Sequence, residues 1–174
     1  MRNPVKITLV LGGARSGKST HAQKLAEQGW KQPLYLAPAE TLDQEMVERV
    51  KLHRDQRGPK WGCVEEPLDL AKVILGSTPP RDGILLDCAT LWLTNVLLKE
   101  GEAAVKTRKQ ELIAALKASP CDVIIVSNEV GMGIVPDSAL GRTFRDLQGW
   151  LNQDLAAIAD SVLFVIAGIP MKVK

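Results

Sequence analysis

The segment from Val5 to Thr20, VKITLVLGGARSGKST, limits the possible folds more than any other. Val5 to Leu11 is apolar or β-branched, polar only at Lys6 and Thr8, which is the composition of a buried strand. It runs into a glycine pair and then a helix-forming stretch. The connection reads G-x-x-x-x-G-K-S, from Gly12, Gly13, Ala14, Arg15 and Ser16 to Gly17, Lys18 and Ser19. Glycines at 12, 13 and 17 let backbone amides approach phosphate oxygens with no Cβ in the way and tolerate positive φ in an anion-cradling nest. The helix that follows aims its free N-terminal amides at the same anion. Lys18 brings a compact positive charge to the β- and γ-phosphates, and the Ser19 hydroxyl suits an inner ligand of a bridging Mg²⁺. The pattern predicts a site for a nucleoside triphosphate, ATP or GTP, with Mg²⁺. A chance glycine-rich turn would not also stand between an apolar strand and a helix.

The chain has 174 residues, enough for one domain with a full core and no visible linker, so residues 1–174 are expected to form a single unit. A formal charge of +2 and the lack of an internal repeat give no argument for nucleic acid. No apolar run approaches the length of a membrane helix, and the expected location is the cytoplasm. Cys63, Cys88 and Cys121 are widely spaced and form no C-x-x-C pair, so they read as structural thiols rather than zinc ligands. Trp30, Trp61, Trp92 and Trp150 are scattered and read mostly as packing residues.

Residues 18–28 predict an amphipathic helix with Ala22, Leu25 and Ala26 on one side and Gly29 as its stop. Residues 33–37 predict a short strand. Thr41 and Gln44 then have capping-box spacing, and Leu42, Met46 and Val50 mark a helix whose stripe His53 continues. Residues 61–66 read as extended, and residues 67–75 as a helix with Pro67 in its first turn. Further strands are expected at 83–88, 123–127 and 161–167, and helices at 90–98, 102–117 and 138–159. The alternating apolar residues of 169–174 suggest an exposed C-terminal edge strand, antiparallel to the rest of the sheet. Strands alternating with helices predict an α/β fold, a mostly parallel sheet with helices on both faces, and ligands at the strands' carboxyl ends.

Two residues beyond the loop bear on chemistry. Asp87 ends the apolar run Ile84-Leu85-Leu86, a pattern that places a carboxylate opposite Ser19 to hold a magnesium shell, although an aspartate there also serves as a helix cap. His53 lies in ERVKLHRDQRGPK, where cations outnumber acids and polyphosphate would be at home. A neutral imidazole can attack phosphorus to form a phosphoramidate. Spacing alone, which puts His53 near the Met46 and Val50 face, favours a packed histidine over a catalytic one. His21 reads as a solvent-facing or packing residue.

GGARSGKS, DQEMVERVKLHRDQR, the Trp61 to Glu65 stretch, LLDCATLWLTN and above all SNEVGMGIVPDSALGRTFRD resemble the bifunctional adenosylcobinamide kinase and adenosylcobinamide-phosphate guanylyltransferase family of cobalamin synthesis, over essentially the whole chain. The resemblance implies a RecA-like phosphate-loop domain that assembles as a trimer. It implies phosphorylation of adenosylcobinamide by ATP or GTP, then GMP transfer from GTP to the resulting phosphate. It makes His53 the guanylylated residue, with nucleotide contacts on Gly12 to Ser19, Ala37, Pro38, Ala39, Arg54, Asp55, Gln56, Arg57, Glu65 and Asp87. Asp87 stands where relatives often carry Glu, and Pro38 where a small hydroxyl residue is common. The loop from Asn128 to Pro136, with Gly131 and Gly133, is expected on the corrin side of the site or as a structural turn. Two other readings compete. One is a phosphate-loop kinase of small molecules with no covalent intermediate, and the other a non-catalytic module, a nucleotide switch or a RecA-like ATPase subunit working on a macromolecule, which would be expected to carry basic DNA-binding loops or an extra oligomerisation segment.

Overall fold

The computed structural model describes residues 5–39, 58–76 and 81–174. The helix expected from Thr41, together with His53, Arg54, Asp55, Gln56 and Arg57, lies outside the described residues. Among those described, the strands are β1 (Ile7–Gly12), β2 (Pro33–Ala37), β3 (Gly62–Glu65), β4 (Gly83–Asp87), β5 (Asp122–Asn128), β6 (Ser161–Ile166) and β7 (Ile169–Lys172). The helices are α1 (Lys18–Gly29), α2 (Leu70–Leu75), α3 (Ala89–Glu100), α4 (Glu102–Lys117) and α5 (Ala139–Ile158).

The strands form one sheet in the order β3-β2-β4-β5-β1-β6-β7, parallel throughout except for the antiparallel pair β6–β7 at one edge. Apolar runs on the central strands follow from this order, because both faces are covered. On one face Ile7, Leu9, Leu36, Ile84, Leu86 and Ile125 pack under α2 to α5. On the other, Val10, Leu85, Ile124, Val126 and Val165 meet Ala22 and Ala26 of α1 and the Trp30 ring. The alternation along each strand sends successive side chains to opposite layers.

Local boundaries depart from expectation where side chains beyond the local stretch intervene. Helix α2 begins at Leu70 rather than near Pro67, because Asp69 caps it by accepting from the Lys72 amide. Gly29 ends α1 without a left-handed turn, since the chain leaves in extended conformation at Trp30. Trp30 and Trp92 are buried as packing residues, but Trp150 is 56% exposed on α5. No described helix is long and apolar enough to cross a membrane.

Candidate active site

The phosphate loop joins the carboxyl end of β1 to α1 in the middle of the sheet. Positive φ falls on Arg15 (55°) and Gly17 (92°), not on Gly12 or Gly13 as the glycine pattern suggested. Gly12 is required by close approach instead. A Cβ there would stand 2.5 Å from Ser16 Oγ and 2.6 Å from Val165 O. Gly13 faces open space.

Helix α1 starts with no capping side chain and no acidic residue in its first turn, so its leading amides keep their capacity for an anion. Ser16 Oγ, which lies over Gly12, is buried with no hydrogen-bond partner among the described residues. Lys18 is buried and donates from Nζ to Gly13 O at 2.9 Å. Burial pulls its ammonium below the ordinary lysine range, and the nearby Asp87 charge opposes that shift.

Asp87, at the tip of β4, meets the loop as its place in the sequence suggested. Ser19 Oγ donates to its Oδ1 at 3.2 Å. The Tyr35 hydroxyl, from β2, donates to Oδ2 at 3.2 Å. The hydroxyl and carboxylate are hard oxygen donors of the kind Mg²⁺ takes when it keeps several waters and phosphate oxygens, so this pair fits that ion. Cys88 follows Asp87, and burial raises its thiol above the ordinary range, which keeps it protonated and a poor nucleophile.

Asn128 at the tip of β5 is aligned with Gly12, and the Glu129 amide donates to Gly12 O at 3.0 Å. The loop after β5 therefore starts beside the phosphate loop. Glu129 shapes it by accepting from the Gly131 and Met132 amides, while Arg145 of α5 donates to Gly131 O. Behind it, buried Ser127 and Gln148 bond to Asn152, whose amide in turn donates to Asn128 O.

The other expected nucleotide contacts are farther off. Ala37 ends β2 and Pro38 follows it, both buried, with Pro38 O accepting from Asn95. Glu65 ends the edge strand β3, exposed and aligned with Ala37. Four strand spacings separate β3 from β1, roughly 19 Å at about 4.8 Å per strand. Sequence reasoning missed Tyr35 and the Ser127–Gln148–Asn152 cluster. The signal for the cluster was there, as polar residues four apart inside an apolar helical stripe and one at the end of an apolar strand.

A family model described as cobinamide kinase / cobinamide phosphate guanyltransferase matches residues 8–173. The chain is 43% identical over 179 residues to the bifunctional adenosylcobalamin biosynthesis protein CobU of Escherichia coli (strain K12), covering 95% of this chain and 98% of that protein. It is 44% identical over 179 residues to the CobU protein of Salmonella typhimurium, with the same coverage. Against the bifunctional adenosylcobalamin biosynthesis protein CobP of Pseudomonas aeruginosa it is 41% identical over 166 residues, 95% of this chain and 96% of that one. Among solved structures, the flagellar accessory protein FlaH from Methanocaldococcus jannaschii is similar with a TM-score of 0.53 at 14% identity, covering 97% of this chain and 78% of that chain. The RadB recombinase gives 0.50 at 17% identity, covering 92% and 74%. Those two likenesses establish the RecA-like phosphate-loop fold alone. A match running from residue 8 to residue 173, with identities of 41 to 44% across nearly the whole of three relatives, shows that this chain belongs to the cobinamide kinase / cobinamide phosphate guanyltransferase family.

Proposed function

We propose that the protein, acting as a single cytoplasmic domain within a homotrimer, phosphorylates the aminopropanol hydroxyl of adenosylcobinamide and then converts the phosphate to adenosylcobinamide-GDP with GTP. The observation that carries the nucleotide half of this reading is the convergence of Lys18, Ser19 and Asp87 where β1 and β4 end. In the kinase step the substrate hydroxyl oxygen bonds to the γ-phosphorus of ATP or GTP as the bond to the nucleoside diphosphate breaks, and the hydroxyl proton is released to solvent. Lys18 and the α1 amides receive the charge that builds on the phosphate oxygens. A Mg²⁺ held by Ser19 and Asp87 would neutralise charge across the β- and γ-phosphates.

In the second step a nitrogen of His53 forms a bond to the α-phosphorus of GTP and pyrophosphate leaves. The phosphate oxygen of adenosylcobinamide phosphate then bonds to that phosphorus, and the P–N bond breaks to regenerate the imidazole. Arg54, Asp55, Gln56, Arg57, Glu65 and the end of β2 at Ala37, Pro38 and Ala39 are the assigned surroundings of the guanylyl group. The corrin is assigned to the loop after β5. There Met132 and Ile134 are 80% and 97% exposed although the loop itself is pinned by Glu129 and Arg145, which supports a rigid apolar surface for a large macrocycle.

The test is mass spectrometry after incubation with GTP and Mg²⁺. One GMP adduct on His53, labile to acid and stable to alkali as a phosphoramidate should be, is the expected result. His53→Asn should lose the adduct and guanylyl transfer while keeping phosphorylation of adenosylcobinamide. Lys18→Ala should depress both reactions by on the order of a hundredfold, about 3 kcal/mol of transition-state stabilisation. Guanylyl transfer without any adduct would replace this mechanism with direct displacement.

A further inference from the structure

The turn between β6 and β7 lies against the phosphate loop. It has two residues, with Ile166 paired to Ile169 and positive φ at both Ala167 (49°) and Gly168 (82°), the geometry of a tight twisted hairpin. The Gly168 amide is turned outward from the hairpin and donates to Ser16 O at 2.8 Å. The two backbones nearly touch there, since a Cβ on Gly17 would stand 3.2 Å from the Gly168 Cα.

That hydrogen bond has a directional consequence. The Ser16–Gly17 peptide is trans, and in a planar trans unit the carbonyl and the N–H point in opposite directions. Anchoring Ser16 O on the hairpin thus turns the Gly17 N–H away from it. Gly17 immediately precedes α1, whose leading amides have no capping side chain, so its N–H joins the donors that helix start offers to an anion. Without the anchor, a peptide flanked by Gly17 at φ 92° could rotate and withdraw the donor.

We propose that the Ala167–Gly168 turn is a positioning element of the nucleotide site, holding the Ser16–Gly17 peptide so that the Gly17 amide faces the phosphates. The inference rests on the reading of Gly12 to Ser19 as the nucleotide site. It assigns the C-terminal hairpin a role beyond closing the sheet edge.

Gly168 permits a clean test, because a Cβ there would meet nothing within 4 Å. The Cβ that a substitution adds therefore meets no clash, and the strain falls on the backbone angle. A β-branched residue resists positive φ, whereas asparagine accepts it. Kd for GTP and for ATP should be measured by calorimetry, and KM for each substrate by steady-state kinetics. Gly168→Val is expected to raise both nucleotide Kd values by about ten- to a hundredfold, the worth of one hydrogen bond to a charged group. The KM for adenosylcobinamide should stay unchanged. Gly168→Asn should return the nucleotide Kd to within about threefold of wild type, as residues that tolerate a left-handed backbone do. If Gly168→Val does not fold, Gly168→Ala is read by the same criterion. A folded variant with a lowered melting temperature and unaltered nucleotide Kd overturns the proposal, as does a loss that asparagine does not repair. Lys18→Ala run in parallel separates the two levels. Unchanged nucleotide binding in that variant removes the site itself, whereas lost binding there with none lost at Gly168 removes only the hairpin's role.

Discussion

Gly83 shows how a single residue can be set by a neighbour the local sequence does not reveal. It opens β4, a place where the sequence offers only the apolar run that follows. In the structure the Trp30 indole lies against it, and a Cβ would fall inside the space the ring atoms already fill. Gly83→Ala is therefore expected to displace Trp30 and to destabilise the fold by about 1–3 kcal/mol, the usual cost of overpacking. Equilibrium denaturation in urea, with tryptophan fluorescence as the probe, measures both effects. Asp87 is the opposite case. Its position after three apolar residues was enough to place it at a strand tip facing Ser19, although its second partner, Tyr35, could not be inferred because it comes from a different strand.

At the scale of elements, helix bounds were readable wherever capping and periodicity are local. The α4 limits, Glu102–Lys117, follow from Gly101 before them and the break at Ala118. What ties α3 to α4 across Gly101 is less local. Arg108 donates from Nε and Nη2 to the two oxygens of Glu100 at 2.8 and 2.6 Å, a two-pronged pair that also draws in Glu111. The Arg108 hydrogen bond holds the Glu100 carboxyl below its ordinary range. A carboxylate with a depressed folded-state pKa contributes stability above its unfolded value, about 4.3, and that contribution disappears as pH falls through the folded value. Arg108→Ala should thus lower the melting temperature at pH 7, and the difference from wild type should close progressively below the ordinary glutamate range. A difference that persists unchanged at the acid end would assign the effect to lost packing of the arginine stem.

At the scale of the whole molecule, the sheet order decides where chemistry is possible. β5 stands between β1 and β4, so the phosphate loop and Asp87 face each other across one strand, and the loop after β5 begins in the gap. Ile125 is fully buried at the middle of that strand and packs in the larger core cluster. Ile125→Ala should cost about 2–5 kcal/mol by lost burial and cavity formation. Because β5 spaces the two halves of the proposed site, truncating Ile125 should also reduce nucleotide affinity at temperatures where the protein is still folded. Calorimetric titration below the transition, beside a denaturant curve, checks both.

The sequence by itself determined the phosphate loop, the carboxylate opposite it, the alternation of strands and helices and the antiparallel edge, because each depends on backbone preference, apolar period or motif spacing over a few residues. Full-length likeness then identified the family. Only the tertiary structure decided which strands are neighbours, that Tyr35 joins Asp87, that Trp30 claims the space over Gly83, and that the Gly168 amide holds Ser16. These are contacts between segments distant in the chain. They are selected by packing the whole core at once, so no local propensity encodes them.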